Sequence, residues 1–201
     1  MPISCILFDL DDVIRFFDQA ARAAIEGSYD LPDGSLMATA IDPDLIESLV
    51  TGRLTRAEWS AEVGRRVGSP EAAAEWTVDI GTPDPDALAL LDELRAGGYT
   101  VAILTNGTDT IDAELATLGI DQHVDAVFNS AVIGVAKPHP DAFRHVCREL
   151  DVAPESVFFT DDSASKLGGA LEIGMTAVVF TTVGSLRRAL RDVGVRISSA
   201  S

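Results

Sequence analysis

The chain has 201 residues, of which 47% are hydrophobic and 23% are charged, so its composition allows a sizeable core and excludes a wholly disordered protein. Its 32 acidic and 15 basic residues give a net charge of −17, which argues against nucleic-acid and anionic-membrane partners because both require a basic surface. With only Cys5 and Cys147 as cysteines, and neither a signal peptide nor an apolar run of the roughly 20 residues that a membrane span needs, we expect a cytoplasmic protein without disulfides.

Five short apolar runs predict buried strands. They span residues 3–8, 100–104, 126–128, 157–160 and 177–180. Helical patterns lie between them at 85–96, 111–118, 140–150 and 167–173; Asp84-Pro85 is typical of a helix start and Gly119 of a helix end. Strands that alternate with helices predict an α/β fold, a Rossmann-like, doubly wound parallel sheet of five strands with helices on both faces.

Residues 15–82 interrupt this alternation and contain no convincing strand. They offer three helix starts, at Asp42-Pro43, at Thr55 with Glu58, and at Ser69-Pro70. We interpret 15–82 as a small all-helical cap inserted after the first strand of a core formed by residues 1–14 and 83–201. The alternative is a single crossover of roughly 70 residues, where a dozen or more usually suffice.

Polar residues stand at the ends of the predicted strands, where parallel sheets bind ligands. They are Asp9, Asp11 and Asp12 after the first strand, Thr105 and Asn106 after the second, Lys137 in the loop after the third, and Asp161 and Asp162 after the fourth. Taken singly, these residues are typical of ordinary turns and helix caps. Four such groups in one order make coincidence improbable.

Clustered carboxylates repel one another unless a cation lies among them. Oxygen ligands favour Mg²⁺, and Mg²⁺ beside a lysine and a threonine can receive a phosphoryl group. One carboxylate can then act as nucleophile, and a second can act as general acid and base.

With these motifs the chain resembles the haloacid dehalogenase superfamily of hydrolases, in the branch that carries a helical cap. The resemblance implies that Asp9 is the nucleophile and a Mg²⁺ ligand, and that Asp11 is the general acid/base and offers its backbone carbonyl to the metal. It also implies that Asp161 and Asp162 bind the metal. The expected phosphate-binding residues are Thr105, Asn106 and Lys137.

Two positions depart from the family pattern. Asp12 stands where glycine is usual, and aspartate tolerates a positive φ better than most residues. Lys166, one of two lysines in the chain, stands where many relatives have Asp or Asn; it either neutralises Asp161 or Asp162 or lies on a solvated helix face. Family specificity lies in the cap and in the loop after the first motif, so Arg15 and Asp18 are candidates. Arg15 either recognises a second anionic group or pairs with a surface acid.

These features favour a Mg²⁺-dependent phosphohydrolase that cleaves a small phosphorylated metabolite through an aspartyl-phosphate intermediate. The alternatives are a phosphohexomutase of the same family, a 2-haloacid dehalogenase, a non-catalytic relative and a phosphoaccepting receiver domain. The dehalogenase branch usually lacks the second aspartate of the first motif, so Asp11 argues against it. A receiver domain would need an acid after the third strand. The substrate and the oligomeric state stay open.

Overall fold

The computed structural model describes residues 1–198. In this range the strands are β1 (Cys5–Phe8), β2 (Arg15–Phe16), β3 (Thr82–Pro83), β4 (Thr100–Thr105), β5 (Ala126–Asn129), β6 (Val157–Asp161) and β7 (Thr176–Val179). The α-helices are α1 (Gln19–Ser28), α2 (Ser35–Ala40), α3 (Pro43–Val50), α4 (Arg56–Val67), α5 (Pro70–Trp76), α6 (Pro85–Ala96), α7 (Ile111–Leu118), α8 (Ser130–Ile133), α9 (Pro140–Leu150), α10 (Gly168–Glu172) and α11 (Val183–Asp192). Short 3-10 helices occur at Ile120–His123, Pro154–Ser156 and Ala164–Lys166.

Five strands form one parallel sheet in the order β5-β4-β1-β6-β7. The central strand β1 pairs with both neighbours, so that Leu7 lies opposite Ala102 on β4 and Phe159 on β6. This order reverses direction at β1, which is the switch point where ligands bind in doubly wound sheets. The predicted fold class is confirmed.

Alternation along the strands divides the core between the two faces of the sheet. Ile6 and Phe8 belong to one apolar cluster, which α6, α7 and α11 cover with residues such as Leu91. Cys5 and Leu7 belong to the opposite cluster, which α9 and α10 cover. Burial raises the pKa of the Cys5 thiol to about 12, as befits a core residue.

Between β2 and β3 the chain forms five helices with an apolar cluster of their own. The rings of Trp59 and Trp76 lie in it with centroids 6.2 Å apart. The three predicted helix starts are confirmed, because Asp42, Thr55 and Ser69 each cap a helix with their side chains. Helices α1 and α2 were not predicted. We propose that residues 15–82 form a cap on the core.

The prediction of no strand within 15–82 is wrong at both ends of that segment. Arg15–Phe16 pairs antiparallel with Thr82–Pro83 in a two-stranded ribbon. Two residues are too short to display an alternating pattern, and the partners lie far apart in sequence. The ribbon closes the helical segment at its base, directly after the first acidic motif.

No helix among residues 1–198 combines the length and the apolar character that a membrane crossing requires.

Candidate active site

Three carboxylates meet at the carboxyl ends of the central strands. Asp9 follows β1, and its backbone N–H donates to the carbonyl of Thr160 on β6 at 2.9 Å. Asp161 ends β6 and Asp162 follows it. Asp9, Asp161 and Asp162 each offer an oxygen within 4.8 Å of the others'. The parallel pairing of β1 with β6 therefore brings residues about 150 positions apart into one group.

Lys137 supplies the positive charge of this group. Its buried ammonium lies 2.8 Å from Asp9 Oδ1 and 2.6 Å from Asp161 Oδ2. The other Asp161 oxygen accepts from the backbone N–H of Ser163 at 3.0 Å. Both oxygens of the fully buried Asp161 are thus engaged, whereas Asp162 is exposed.

The carboxylate of Asp9 sits in an environment that disfavours its charge. Burial raises its pKa to about 7, and the nearby Asp161 adds to the increase, although Lys137 opposes both effects. The pKa of Asp162 is also raised, by burial and then by Asp161. A hard divalent cation bound to these oxygens would favour the ionised forms. The all-oxygen donor set therefore fits Mg²⁺.

Asn106 is tied to the lysine loop. Its side-chain nitrogen donates to the carbonyl of Lys137 at 2.9 Å, and its side-chain oxygen accepts from the N–H of Lys137 at 2.8 Å. The amide thus fixes the backbone of the residue that carries the ammonium. Thr105, the last residue of β4, is buried beside it.

The side chain of Asp11 is not part of this group of three carboxylates and accepts a hydrogen bond from Arg15. Arg15 is only 3% exposed; its Nε donates to Asp11 Oδ1, and its Nη1 lies 2.6 Å from Glu114 Oε2. Of the two alternatives for Arg15, pairing with an acid describes this structure, but Arg15 itself and its partner Glu114 are buried and not on the surface. Asp18 caps α1, accepting from the N–H groups of Ala20 and Ala21.

Two functional neighbours escaped sequence reasoning. Glu114 on α7 binds Arg15 and also Arg56, the first residue of α4. Arg56 further donates to the carbonyls of Thr77 and Asp79. This network, Arg15–Glu114–Arg56, joins the helical segment to the sheet core. Of Glu114 and Arg56, only Glu114 could have been found from the sequence, because it is a carboxylate on the buried face of α7.

The two departures from the family pattern have distinct settings. Asp12 has a φ of 59°, the left-handed conformation that glycine adopts freely and aspartate tolerates. Lys166 forms no ion pair within residues 1–198; it lines a cavity of about 730 Å³ together with Lys137 and His139. Of the two alternatives for Lys166, neutralising Asp161 or Asp162 is not what the structure shows.

A second cavity, of about 250 Å³, lies between the helical segment and the first motif. Asp11 and Asn106 line it from the core, and Trp59 and Trp76 line it from the helices. We call it the inner cavity. This cavity places apolar surface next to Asp11.

The molecule thus combines a five-stranded parallel α/β sheet with a group of carboxylates at the carboxyl ends of its central strands. The family model described as haloacid dehalogenase-like hydrolase matches residues 3–174. The chain therefore belongs to this family.

Individual relatives include phosphatases and dehalogenases. Phosphatase MT3486 of Mycobacterium tuberculosis is 29% identical over 216 aligned residues, which cover 100% of this chain and 99% of that protein. (S)-2-haloacid dehalogenase 4A of Burkholderia cepacia is 34% identical over 102 residues, covering 50% of this chain and 44% of that protein. A HAD family enzyme of Bacteroides thetaiotaomicron, solved as a magnesium complex, has a TM-score of 0.77 at 20% identity and covers 95% of this chain and 100% of that one. This last likeness concerns the fold.

Proposed function

We propose that the protein is a Mg²⁺-dependent phosphatase that hydrolyses a small phosphorylated metabolite. The observation that carries the proposal is the grouping of Asp9, Asp161 and Asp162 around Lys137, with carboxylate oxygens within 4.8 Å. Asp9 and Asp162 would hold the metal, with Asp161 as a further ligand and Asp11 contributing its backbone carbonyl. Mg²⁺, when bound, supplies positive charge beside the phosphoryl oxygens.

In the first half of the reaction a carboxylate oxygen of Asp9 attacks phosphorus, and the bond from phosphorus to the ester oxygen breaks. Asp11 gives its proton to the departing oxygen, which leaves as an alcohol. Lys137 and Thr105 hold the phosphoryl oxygens, and Asn106 keeps Lys137 in place through its backbone. The product of this half is an aspartyl phosphate on Asp9.

In the second half Asp11 takes a proton from water. The water oxygen attacks phosphorus, and the bond between phosphorus and Asp9 breaks. Asp9 returns as a carboxylate and inorganic phosphate is released. The helical cap would exclude bulk water during the first half and contribute the walls that contact the leaving group.

Dehalogenation of a 2-haloacid is the second candidate, because dehalogenase 4A matches half of this chain. A halide leaves without a proton, so that reaction makes no use of an acid at Asp11. It also makes no use of a metal ion held by carboxylates. The phosphatase reaction uses both features, and the relative that covers the whole chain is named as a phosphatase. A phosphohexomutase would also form the aspartyl phosphate, but the acceptor of the phosphoryl group would not be water.

The test is phosphate release from p-nitrophenyl phosphate with and without Mg²⁺, together with chloride release from 2-chloropropionate. We expect phosphate release that requires Mg²⁺, stops with EDTA and is lost in Asp9→Asn. Arg65→Gln, a change at an exposed position of α4, serves as the matched control. Chloride release without phosphate release would favour the dehalogenase, and phosphate release that survives EDTA would refute the metal mechanism.

A further inference from the structure

Three arginines line the inner cavity, and two of them use their N–H groups within the protein. Arg15 donates to Asp11 and Glu114. Arg56 donates to Glu114 and to backbone carbonyls. The third, Arg22 on α1, donates no side-chain hydrogen bond to any residue in the described range 1–198, and its Nε is buried without a hydrogen-bond partner.

Arg22 is nevertheless held firmly. Its side chain is 15% exposed. Its guanidinium lies 3.9 Å from the ring centroid of Phe17 and 4.9 Å from that of Trp76. Its Nε forms an ion pair with Asp79 Oδ2 at 3.4 Å, without the geometry of a hydrogen bond. Aromatic stacking fixes the plane of the guanidinium and leaves its donors available.

A guanidinium whose Nε is buried without a hydrogen-bond partner is unfavourable in the free protein, even with the charge of Asp79 beside it. The rest of the inner cavity offers little relief, because much of its wall comes from apolar residues such as Met37, Ile41 and Leu49. An anion that enters this cavity would meet planar donors in surroundings of low polarity, where charge-assisted hydrogen bonds are strong.

The cavity also borders the reacting group. Asp11, the proposed proton donor to the leaving oxygen, lines the same cavity as Arg22. A leaving group that receives its proton from Asp11 therefore extends toward Arg22. Arg22 therefore contacts the chemical group at the end of the leaving group that is remote from the ester oxygen.

We propose that Arg22 binds a carboxylate on the leaving group, so that the substrate is the phosphate monoester of a small hydroxy acid. This inference rests on the proposed phosphatase function. A carboxylate matches the paired N–H groups of an arginine and brings one negative charge. A second phosphate group would bring up to two negative charges next to Asp79, and Arg22, which already pairs with Asp79, balances two added charges less well than one.

The test compares two esters of similar size, 2-phosphoglycolate and ethyl phosphate, which differ in carrying a carboxylate or a methyl group. We expect wild type to favour 2-phosphoglycolate in kcat/KM by about 10- to 100-fold, the usual worth of a hydrogen-bonded charge. In Arg22→Gln this ratio falls to near one, chiefly through KM for 2-phosphoglycolate. Arg65→Gln removes an arginine from an exposed site on α4 and keeps the wild-type ratio.

Arg22→Met preserves the packing between the rings and shows the same loss of preference if Arg22→Gln folds poorly. A wild-type preference for ethyl phosphate, or a ratio unchanged in both Arg22 variants, would overturn the inference. A preference for 1,3-propanediol bisphosphate over 2-phosphoglycolate would replace the carboxylate by a second phosphate and overturn the substrate class.

Binding separates this inference from the proposed function. Because Trp76 stacks on Arg22, its fluorescence should change as 2-phosphoglycolate is added, in wild type and not in Arg22→Met. If wild type cleaves no phosphate ester but shows this Arg22-dependent binding, the phosphatase proposal fails and the role of Arg22 stands. Binding that is equal in the two proteins would refute the role of Arg22.

Discussion

Replacing Glu114 with glutamine is expected to lower the free energy of unfolding by about 3 kcal/mol, the lower end of the cost of breaking a buried ion pair. The side chain of Glu114 is 6% exposed, so solvent screens it little. It accepts from Arg15, Arg56 and Thr110. The variant leaves two largely buried guanidinium groups short of one negative charge. The estimate stays low because Arg15 keeps Asp11 and Arg56 keeps backbone carbonyls.

Urea unfolding at pH 7 measures this loss. With an m-value of about 2–3 kcal/mol/M for a chain of this size, the midpoint should fall by roughly 1 to 1.5 M at an unchanged m-value. Glu62→Gln is the matched control, because Glu62 pairs with Arg65 and Arg66 on the surface of α4. We expect its midpoint to stay close to that of wild type.

The direction in which the stabilisation by Glu114 changes with pH follows from its pKa. Burial raises the pKa of Glu114, but hydrogen bonds from Thr110 and Arg15 and the charges of Arg56 and Arg15 outweigh it and lower the pKa below its ordinary value. A carboxyl with a lowered pKa stabilises the fold above its unfolded pKa of about 4.3 and loses that contribution as the pH falls through the folded pKa. The difference between wild type and Glu114→Gln should therefore shrink on acidification. A midpoint shift below about 0.3 M at pH 7, or a difference that grows toward acid pH, would refute this reasoning.

Three further changes probe the site. Lys137→Met removes the cation between Asp9 and Asp161, and kcat/KM for phosphate release should fall by about 10²–10³-fold, with the pKa of Asp9 rising further above about 7; wild-type activity would contradict this. Asn106→Ala frees the Lys137 backbone and should reduce kcat/KM by about 100-fold through misplacement, while the melting temperature changes by only a few degrees as measured by circular dichroism. Asp12→Gly relieves a positive φ worth about 1 kcal/mol of strain and should keep the melting temperature within roughly 3 °C of wild type. Asp12→Val should lower the melting temperature by more than that. Equal melting temperatures for the two variants would refute the argument from φ.

The sheet could be predicted because each strand is a local signal. The apolar run ending at Phe8 and the acid that follows it belong to one short stretch, and parallel pairing then places Asp9 beside Asp161. The helix starts at Asp42 and Thr55 were equally local, because a capping residue acts within its own first turn. The two-residue strands at Arg15 and Thr82 carried no such signal.

The parts of the site that could not be predicted depend on pairs distant in sequence. Arg15 and Glu114 are 99 positions apart, and nothing near either residue indicates the other. Arg22 lies on α1, a helix that was not predicted although Asp18 caps it, and its significance comes from its contacts with Phe17 and Trp76. Packing between the helical segment and the core decides these partners, and packing is not written in local periodicity.

We propose that Asp9 carries the phosphoryl group during turnover. The most direct measurement is mass spectrometry of the enzyme quenched in acid while it hydrolyses p-nitrophenyl phosphate with Mg²⁺. We expect one phosphoryl group on the peptide that contains Asp9, absent with EDTA and absent in Asp9→Asn. Steady phosphate release with no phosphoryl group on that peptide, or with the group on a different residue, would contradict it.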